Sequence, residues 1–202
     1  MKHFYGKKQF MEDYVYILDY LPFGYGPGYM SRYEVRYRGP IAQAIGESYF
    51  TLLEVTPLPG LQFNIRDRVY LGRVYDESIV RVTRRLSYDE LTATAKAELP
   101  VILQLIVKKR EKEYVDFFNK AAPLTKKMHS LELLRGIGKR TLWKILEERR
   151  RKPFESFDDI KERTKIDPVK VIVERIIEEL SEPQRHYLFV PPQVIKRPRP
   201  RF

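Results

Sequence analysis

The residues most able to do chemistry lie together in Gly136-Ile137-Gly138-Lys139-Arg140-Thr141, with Lys144 one turn further on. Two glycines around one apolar residue allow the chain to reverse within about three residues. On either side the apolar spacing is helical: Leu131 and Leu134 before the turn, then Leu142, Ile145, Leu146 and the stem of Arg149 after it. Gly138 thus stands at the amino end of a helix, where free N–H groups and the positive end of the helix dipole favour an anion such as phosphate. Lys139 and Arg140 follow at once. Cations in a first helical turn oppose the dipole, so their placement suggests a purpose beyond folding. The competing reading is a tight turn in a purely structural hairpin.

Other chemistries find little support. The histidines, His3, His129 and His186, are far apart and lack acidic residues at ligand spacing. There is no H-E-x-x-H, no G-x-S-x-G and no Walker loop. Acidic residues are dispersed among basic ones in i,i+4 patterns, as in solvated ion pairs. The chain is therefore expected to be a binding protein and not an enzyme, with no cofactor and no metal site built from side chains.

The same residues resemble the helix-hairpin-helix family, whose pattern is apolar-x-x-apolar-x-Gly-apolar-Gly followed by a helix carrying basic residues. The resemblance implies that Gly136, Ile137, Gly138, Lys139, Arg140 and Thr141 grip a sugar-phosphate backbone without reading sequence. It also implies a possible monovalent cation on the hairpin carbonyls. This chain has Leu142 where the family usually has alanine, so the packing behind the hairpin should differ. The stretch Thr164-Lys165-Ile166-Asp167-Pro168 stands where a second, glycine-free hairpin of a tandem unit would be. Asp167 there is a good N-cap and Pro168 a good first helical residue. A carboxylate at that helix end would repel phosphate, so the second hairpin is expected to pack and not to bind. Trp143 is expected to cover the seam between the halves, with base stacking as the alternative.

Composition agrees with an anionic partner. The 202 residues carry a net charge of +11, which favours nucleic acid first and an acidic membrane surface second. Hydrophobic residues make up 43%, enough for a globular core. Cysteine is absent, which excludes disulfides and thiolate metal sites. No apolar signal core opens the chain and no run approaches membrane-spanning length, which predicts a cytoplasmic protein.

The elements that must position the hairpin fall into two groups, predicting an α+β protein. Residues 1–86 read as a basic arm followed by a small antiparallel β-barrel or curved sheet, in which Arg66-Asp67-Arg68-Val69-Tyr70-Leu71-Gly72 resembles a strand opening in oligonucleotide-binding barrels. Its strands are expected around Tyr14–Tyr20, Tyr33–Tyr37, Tyr49–Thr56, Arg68–Leu71 and Ser78–Thr83. Phe23 and Tyr25, in the loop Leu21–Gly28, either stack on bases or close one end of the barrel. Arginines 32, 36, 38, 81, 84 and 85 form either a solvated face or a second contact surface.

Residues 87–125 read as a helical connector. Ser87 to Glu90 forms a capping box for a helix to Leu99, and Pro100 suits the first position of the next. Ala121 to His129 reads as a linker. Residues 126–182 form the all-α tandem helix-hairpin-helix. Residues 183–202 form a flexible Pro/Arg-rich tail in which Lys196, Arg197, Arg199 and Arg201 either add non-specific phosphate affinity or serve only as a disordered solubilising end.

The order of parts also resembles an archaeal family described as predicted RNA-binding. Together these readings predict a largely sequence-independent nucleic-acid-binding protein, RNA slightly favoured over DNA, with a ribonucleoprotein or repair assembly as a candidate setting. A protein–protein adaptor and a nuclease or glycosylase are the alternatives.

Overall fold

The computed structural model describes residues 10–25, 39–72 and 80–196. The chain divides into two compact units, one of residues up to Ala95 together with those from Val190 onward, the other Lys96–Phe189.

The first unit is an antiparallel sheet of five strands: β1 (Tyr14–Leu21), β2 (Ile41–Gly46), β3 (Leu52–Pro57), β4 (Arg68–Tyr70) and β5 (Val80–Arg85), in the order β4-β1-β2-β3-β5. Val15, Ile17, Ala42, Ala44, Leu53, Val55 and Val69 share a buried cluster with Phe63 and Val80. β1 slips register between Ile17 and Asp19, leaving Leu18 as an extra residue that bends the strand. Among the described residues β4 and β5 remain edges, so of the barrel or curved sheet expected from the strand pattern the structure shows a curled half-barrel.

Two details differ from the sequence reading, and one expectation falls outside the described residues. The strand expected around Tyr33–Tyr37, with Arg32, Arg36 and Arg38, lies outside the described residues, as do His3 and most of the basic arm. β2 was not anticipated. Its six residues are all buried, so it shows no polar alternation, and it is built partly from alanine, glutamine and glycine, which are poor strand formers. β3 begins at Leu52 instead of Tyr49 because the buried Glu12 carboxylate captures the preceding loop. It accepts N–H groups from Ser48 at 2.8 Å, Tyr49 at 3.0 Å and Thr51 at 3.1 Å, and Phe50 takes a positive φ of 59°.

A polar network occupies the sheet beside Gln43. The amide of this fully buried residue donates to the Tyr25 hydroxyl at 3.0 Å and the Glu90 carbonyl at 2.9 Å, and accepts from the Thr92 N–H at 2.9 Å. Tyr25 donates in turn to Glu54 at 2.8 Å. Burial foremost pushes the Tyr25 phenol well above its ordinary range. Tyr25 therefore closes the sheet and is not offered for stacking, whereas Phe23 is exposed. Val190 and Val194 are buried within this unit, and Arg85 donates to the Gln193 carbonyl at 2.9 Å.

The second unit holds most of the helices: α1 (Ala93–Lys109, which starts in the first unit), α2 (Glu111–Lys120), α3 (Lys139–Arg151), α4 (Phe157–Thr164) and α5 (Pro168–Ser181). The Ser87 capping box is present but closes only a 3-10 turn, Tyr88–Glu90. The helix itself is capped by Thr92, whose hydroxyl accepts from the Ala95 N–H at 3.0 Å. It runs through Pro100 instead of restarting there. A proline inside a helix costs about 3 kcal/mol, offset here by burial of Leu99, Ile102, Leu103, Ile106 and Val107 on either side of it.

The expected linker is partly structured, as a short hairpin of β6 (Pro123–Thr125) and β7 (Met128–His129). After α5 the chain is held by a buried ion pair. Arg175 meets Glu179 at 2.8 Å, and Glu179 also accepts the N–H groups of Leu188 at 2.6 Å and Phe189 at 3.0 Å. Phe189 then packs edge-on against Tyr114 and Phe117. No helix among the described residues is long and apolar enough to cross a membrane.

Candidate nucleic-acid interface

The approach to the hairpin is built by local capping. Thr125 Oγ1 accepts from the Met128 N–H at 3.1 Å, shaping the turn that presents Lys126 and Lys127 to solvent. His129 follows. Its Nδ1 accepts from the Leu131 N–H at 3.1 Å, and Glu132 accepts from the His129 N–H at 2.7 Å. Burial first, then the nearby Arg149 cation, lowers the His129 pKa. The ring is thus a capping group, and among the described residues no cluster of three or more metal-ligating side chains occurs.

The element before the glycine turn is a single 3-10 turn, Ser130–Leu133, where the apolar spacing predicted a short helix. Only four residues separate His129 from Leu134, too few for two turns of α-helix. Leu131 and Leu134 are buried, as the spacing required. Gly136 then takes a φ of +82°, which a side chain would strain, and the Ile137 N–H returns to the Leu134 carbonyl at 3.0 Å. Ile137 is buried beneath the turn.

Gly138 is the N-cap of α3, with φ −85° and ψ −178°. Any residue can adopt this extended conformation, and a Cβ built there would meet nothing within 4 Å. Neither backbone geometry nor packing calls for glycine. Its effect is to leave the helix end without a capping side chain, and none caps it. The Gly138 carbonyl accepts the first helical bond, from the Leu142 N–H at 2.9 Å. The N–H groups of Lys139, Arg140 and Thr141 precede that bond and point out of the helix end.

Cations surround this end. Gly136, Gly138, Lys139, Arg140 and Lys144 are exposed and Thr141 is half-buried. Lys139 pairs with Glu132 at 2.7 Å and donates to the Lys127 carbonyl at 3.1 Å, which brings the Lys126-Lys127 turn beside the helix end. The Lys139 ammonium, with the His129 N–H, holds the Glu132 carboxyl below its ordinary value. Arg135, in the turn itself, is exposed too. Lys126, Lys127 and Arg135 were missed by the sequence reading. The first two fell in a presumed linker, and only the doublet Lys126-Lys127 after a turn-forming Thr125 could have pointed to them.

Behind the hairpin, Leu142 and Ile145 face the interior and Arg149 donates to the carbonyls of Phe118 at 3.0 Å and Ala121 at 2.9 Å. Leu142 is buried, so the larger side chain is accommodated. Trp143 does not cover a seam: it is 65% exposed. Leu142, Ile145 and Arg149 define the face of α3 that turns inward, and position 143 lies off that face.

The turn between α4 and α5 is made without glycine. Lys165 takes a left-handed φ of 65°, and Asp167 caps α5, accepting from the Lys170 N–H at 3.1 Å while pairing with Lys161 at 2.9 Å. That helix end already contains its own anion. Arg163 ties α4 to the end of α3, reaching the Glu148 carboxylate at 3.2 Å and the Lys152 carbonyl at 2.9 Å.

Lys196 belongs to the first unit, where it pairs with Glu90 at 2.8 Å. Arg197, Arg199 and Arg201 lie outside the described residues. The sheet arginines are similarly engaged: Arg84 meets Glu54 at 2.9 Å and Glu90 at 2.6 Å, while Arg81 is exposed.

Residues 11–191 match the family described as "Protein of unknown function (DUF655)", and the chain belongs to that family. The "Uncharacterized protein MJ0038" of Methanocaldococcus jannaschii is 42% identical over 186 residues, which is 91% of this chain and 82% of that protein. The crystal structure of Af1531 from Archaeoglobus fulgidus is 46% identical and superposes with a TM-score of 0.79, covering 89% of this chain and 100% of that one. Both relatives are archaeal, and the solved structure supports the succession of a curled five-stranded sheet and helices.

Proposed function

We propose that this chain is a non-catalytic nucleic-acid-binding protein that grips a phosphate backbone at the amino end of α3, as helix-hairpin-helix proteins do, with RNA slightly favoured over DNA. The observation carrying the reading is the exposed N-terminus of α3, capped by a glycine that neither geometry nor packing requires and flanked by Lys139 and Arg140. A phosphate there would accept backbone N–H groups and displace Glu132 from Lys139. That exchange is cheap, because an exposed ion pair contributes little. Lys126, Lys127, Arg135 and Lys144 add long-range attraction. The α4–α5 turn serves as the packing partner, since Asp167 occupies the equivalent helix end.

A monovalent cation on the hairpin carbonyls fits this arrangement as an accessory. The Leu131, Leu134 and Gly138 carbonyls each accept one backbone N–H and keep a second lone pair. The phosphate grip does not depend on it. Contacts of this kind position a backbone and do not read bases.

The test is binding of the full chain to matched single- and double-stranded RNA and DNA at two ionic strengths. Binding that weakens steeply with salt and varies little with sequence is expected. Absence of binding to all four, or binding indifferent to salt, refutes the proposal and leaves the protein–protein adaptor.

A further inference from the structure

Tryptophan is large and apolar and is seldom left in water without a reason. Trp143, the only tryptophan in the chain, is 65% exposed on α3 and has no hydrogen bond, ring contact or cation contact among the described residues. Its place is specific. It lies four residues after Lys139 and three after Arg140, so it shares their face and stands between them about one turn along. Helical side chains lean toward the amino end, so the indole covers the turn that carries the two cations. Lys144 continues the basic strip beside it. The buried side of α3 is already filled by Leu142 and Ile145, so Trp143 contributes nothing to the core.

We propose that Trp143 stacks on an unpaired base next to the phosphates held at the amino end of α3, which makes single strands or strand junctions the preferred ligand class. This rests on the phosphate grip proposed above and adds the base-facing element that grip lacks. Aromatic platforms set among cations are how proteins hold unpaired strands with little sequence preference, since every base has a stacking face. A paired base in a duplex has no free face to offer. A protein-docking role for the indole is less favoured because Lys139, Arg140 and Lys144 stand beside it toward the amino end, while the Glu147 carboxylate on its other side is met by Arg151 at 3.5 Å.

Since Trp143 is the only tryptophan, intrinsic fluorescence reads the contact directly. The full chain is titrated with an oligouridylate and an oligothymidylate of about 12 residues and with a duplex of matching length. Affinity is followed in parallel by anisotropy of end-labelled strands. Quenching of the emission by single strands and not by duplex is expected. Trp143→Ala should lose about 5- to 150-fold in single-strand affinity, the range measured for base–aromatic stacking, and little on duplex. Trp143→Phe should retain most of it. Saturation by single strands with unchanged emission, or a Trp143→Ala variant that binds them as tightly as the wild type, overturns the stacking while leaving the phosphate grip standing. Failure of all the oligonucleotides to bind removes both.

Discussion

Gly138→Asp separates folding from binding more sharply than any other single change. The substitution meets no steric objection, since φ at this position is ordinary and the Cβ direction is open. An aspartate at the N-cap accepts N–H groups of the first turn, improving on glycine by a few tenths of a kcal/mol. Its charge complements the dipole by about 0.3–1 kcal/mol and sits beside Lys139 and Arg140. The helical unit should gain about 0.5–1.5 kcal/mol, or about 1–6 °C in melting temperature for a chain of this size. The same carboxylate occupies the position proposed for phosphate. Loss of a charge-assisted hydrogen bond worth about 1.5–3 kcal/mol weakens binding about 10- to 150-fold.

The salt dependence gives an independent magnitude. If about 4 phosphates are neutralised, the log–log slope on duplex DNA is roughly −3.6, or about 150-fold between 50 and 200 mM salt. Cancelling one cation reduces the slope to roughly −2.7, about 40-fold over the same range. Anisotropy of a labelled duplex at the two salt concentrations measures the slope, and thermal unfolding measures the gain. Gly138→Asn, which caps without charge, isolates the electrostatic part. A Gly138→Asp variant that is more stable yet binds with wild-type affinity and slope would refute the assignment of this helix end to phosphate.

The remaining predictions concern the cations and the scaffold. Lys139→Gln with Arg140→Gln should cut the slope by about 1.8 while changing stability by less than about 1 kcal/mol. The lost Glu132 pair is exposed, and removing two cations from a first turn relieves the dipole; calorimetry and salt titration check both. Gly46→Ala should destabilise the first unit by more than about 1 kcal/mol, because a Cβ there would overlap the Glu12 carboxyl that holds the loop before β3; denaturant melts read this. Glu179→Ala should cost about 3–5 kcal/mol by leaving Arg175 buried and unpaired and releasing residues 188 and 189, seen as hydrogen exchange at Leu188 and Phe189. Glu90 is a pH probe. Burial alone would raise its pKa, but Lys196, Ser87 and Arg84 outweigh this and hold it at about 2, below the ordinary 4.5. Its stabilisation is present above pH 4.5 and lost as pH falls toward 2. After allowance for screening of a partly exposed cluster it amounts to about 1–2 kcal/mol, so melting of Glu90→Gln should depend less on pH than the wild type between those limits.

How far these features could be read in the sequence depended on whether their cause was local. The glycine turn, the Asp167 cap and the apolar stripe of α5 follow from neighbouring residues, and each lies where its spacing placed it. β2 and the loop before β3 follow from distant ones. Nothing near Ile41–Gly46 says that both faces will be covered, and nothing near Tyr49 says that Glu12 will take up its N–H groups. Pro100 shows the same limit, because a rule about prolines at helix starts yields when enough apolar surface on both sides is buried. At the candidate interface the glycines and the doublet Lys139-Arg140 were visible, while Lys126 and Lys127 join them only through the fold of β6 and β7. The tail shows the reverse error: Lys196 read as a mobile cation because its partner Glu90 lies 106 residues away.

The two turns in the helical unit make the strongest internal argument for an outside anion. Each leads into a helix of similar length, α3 with 13 residues and α5 with 14. At α5 the chain supplies its own carboxylate, seated on the first turn and balanced by Lys161. At α3 the corresponding position is a glycine with open space around it, and the first turn carries two cations that by themselves oppose the helix. A chain able to cap one end in the ordinary way had no structural obstacle to capping the other. Glu132 meets Lys139 from the side, but the first turn of α3 lacks the capping carboxylate that α5 has, and a phosphate group bound there would supply it.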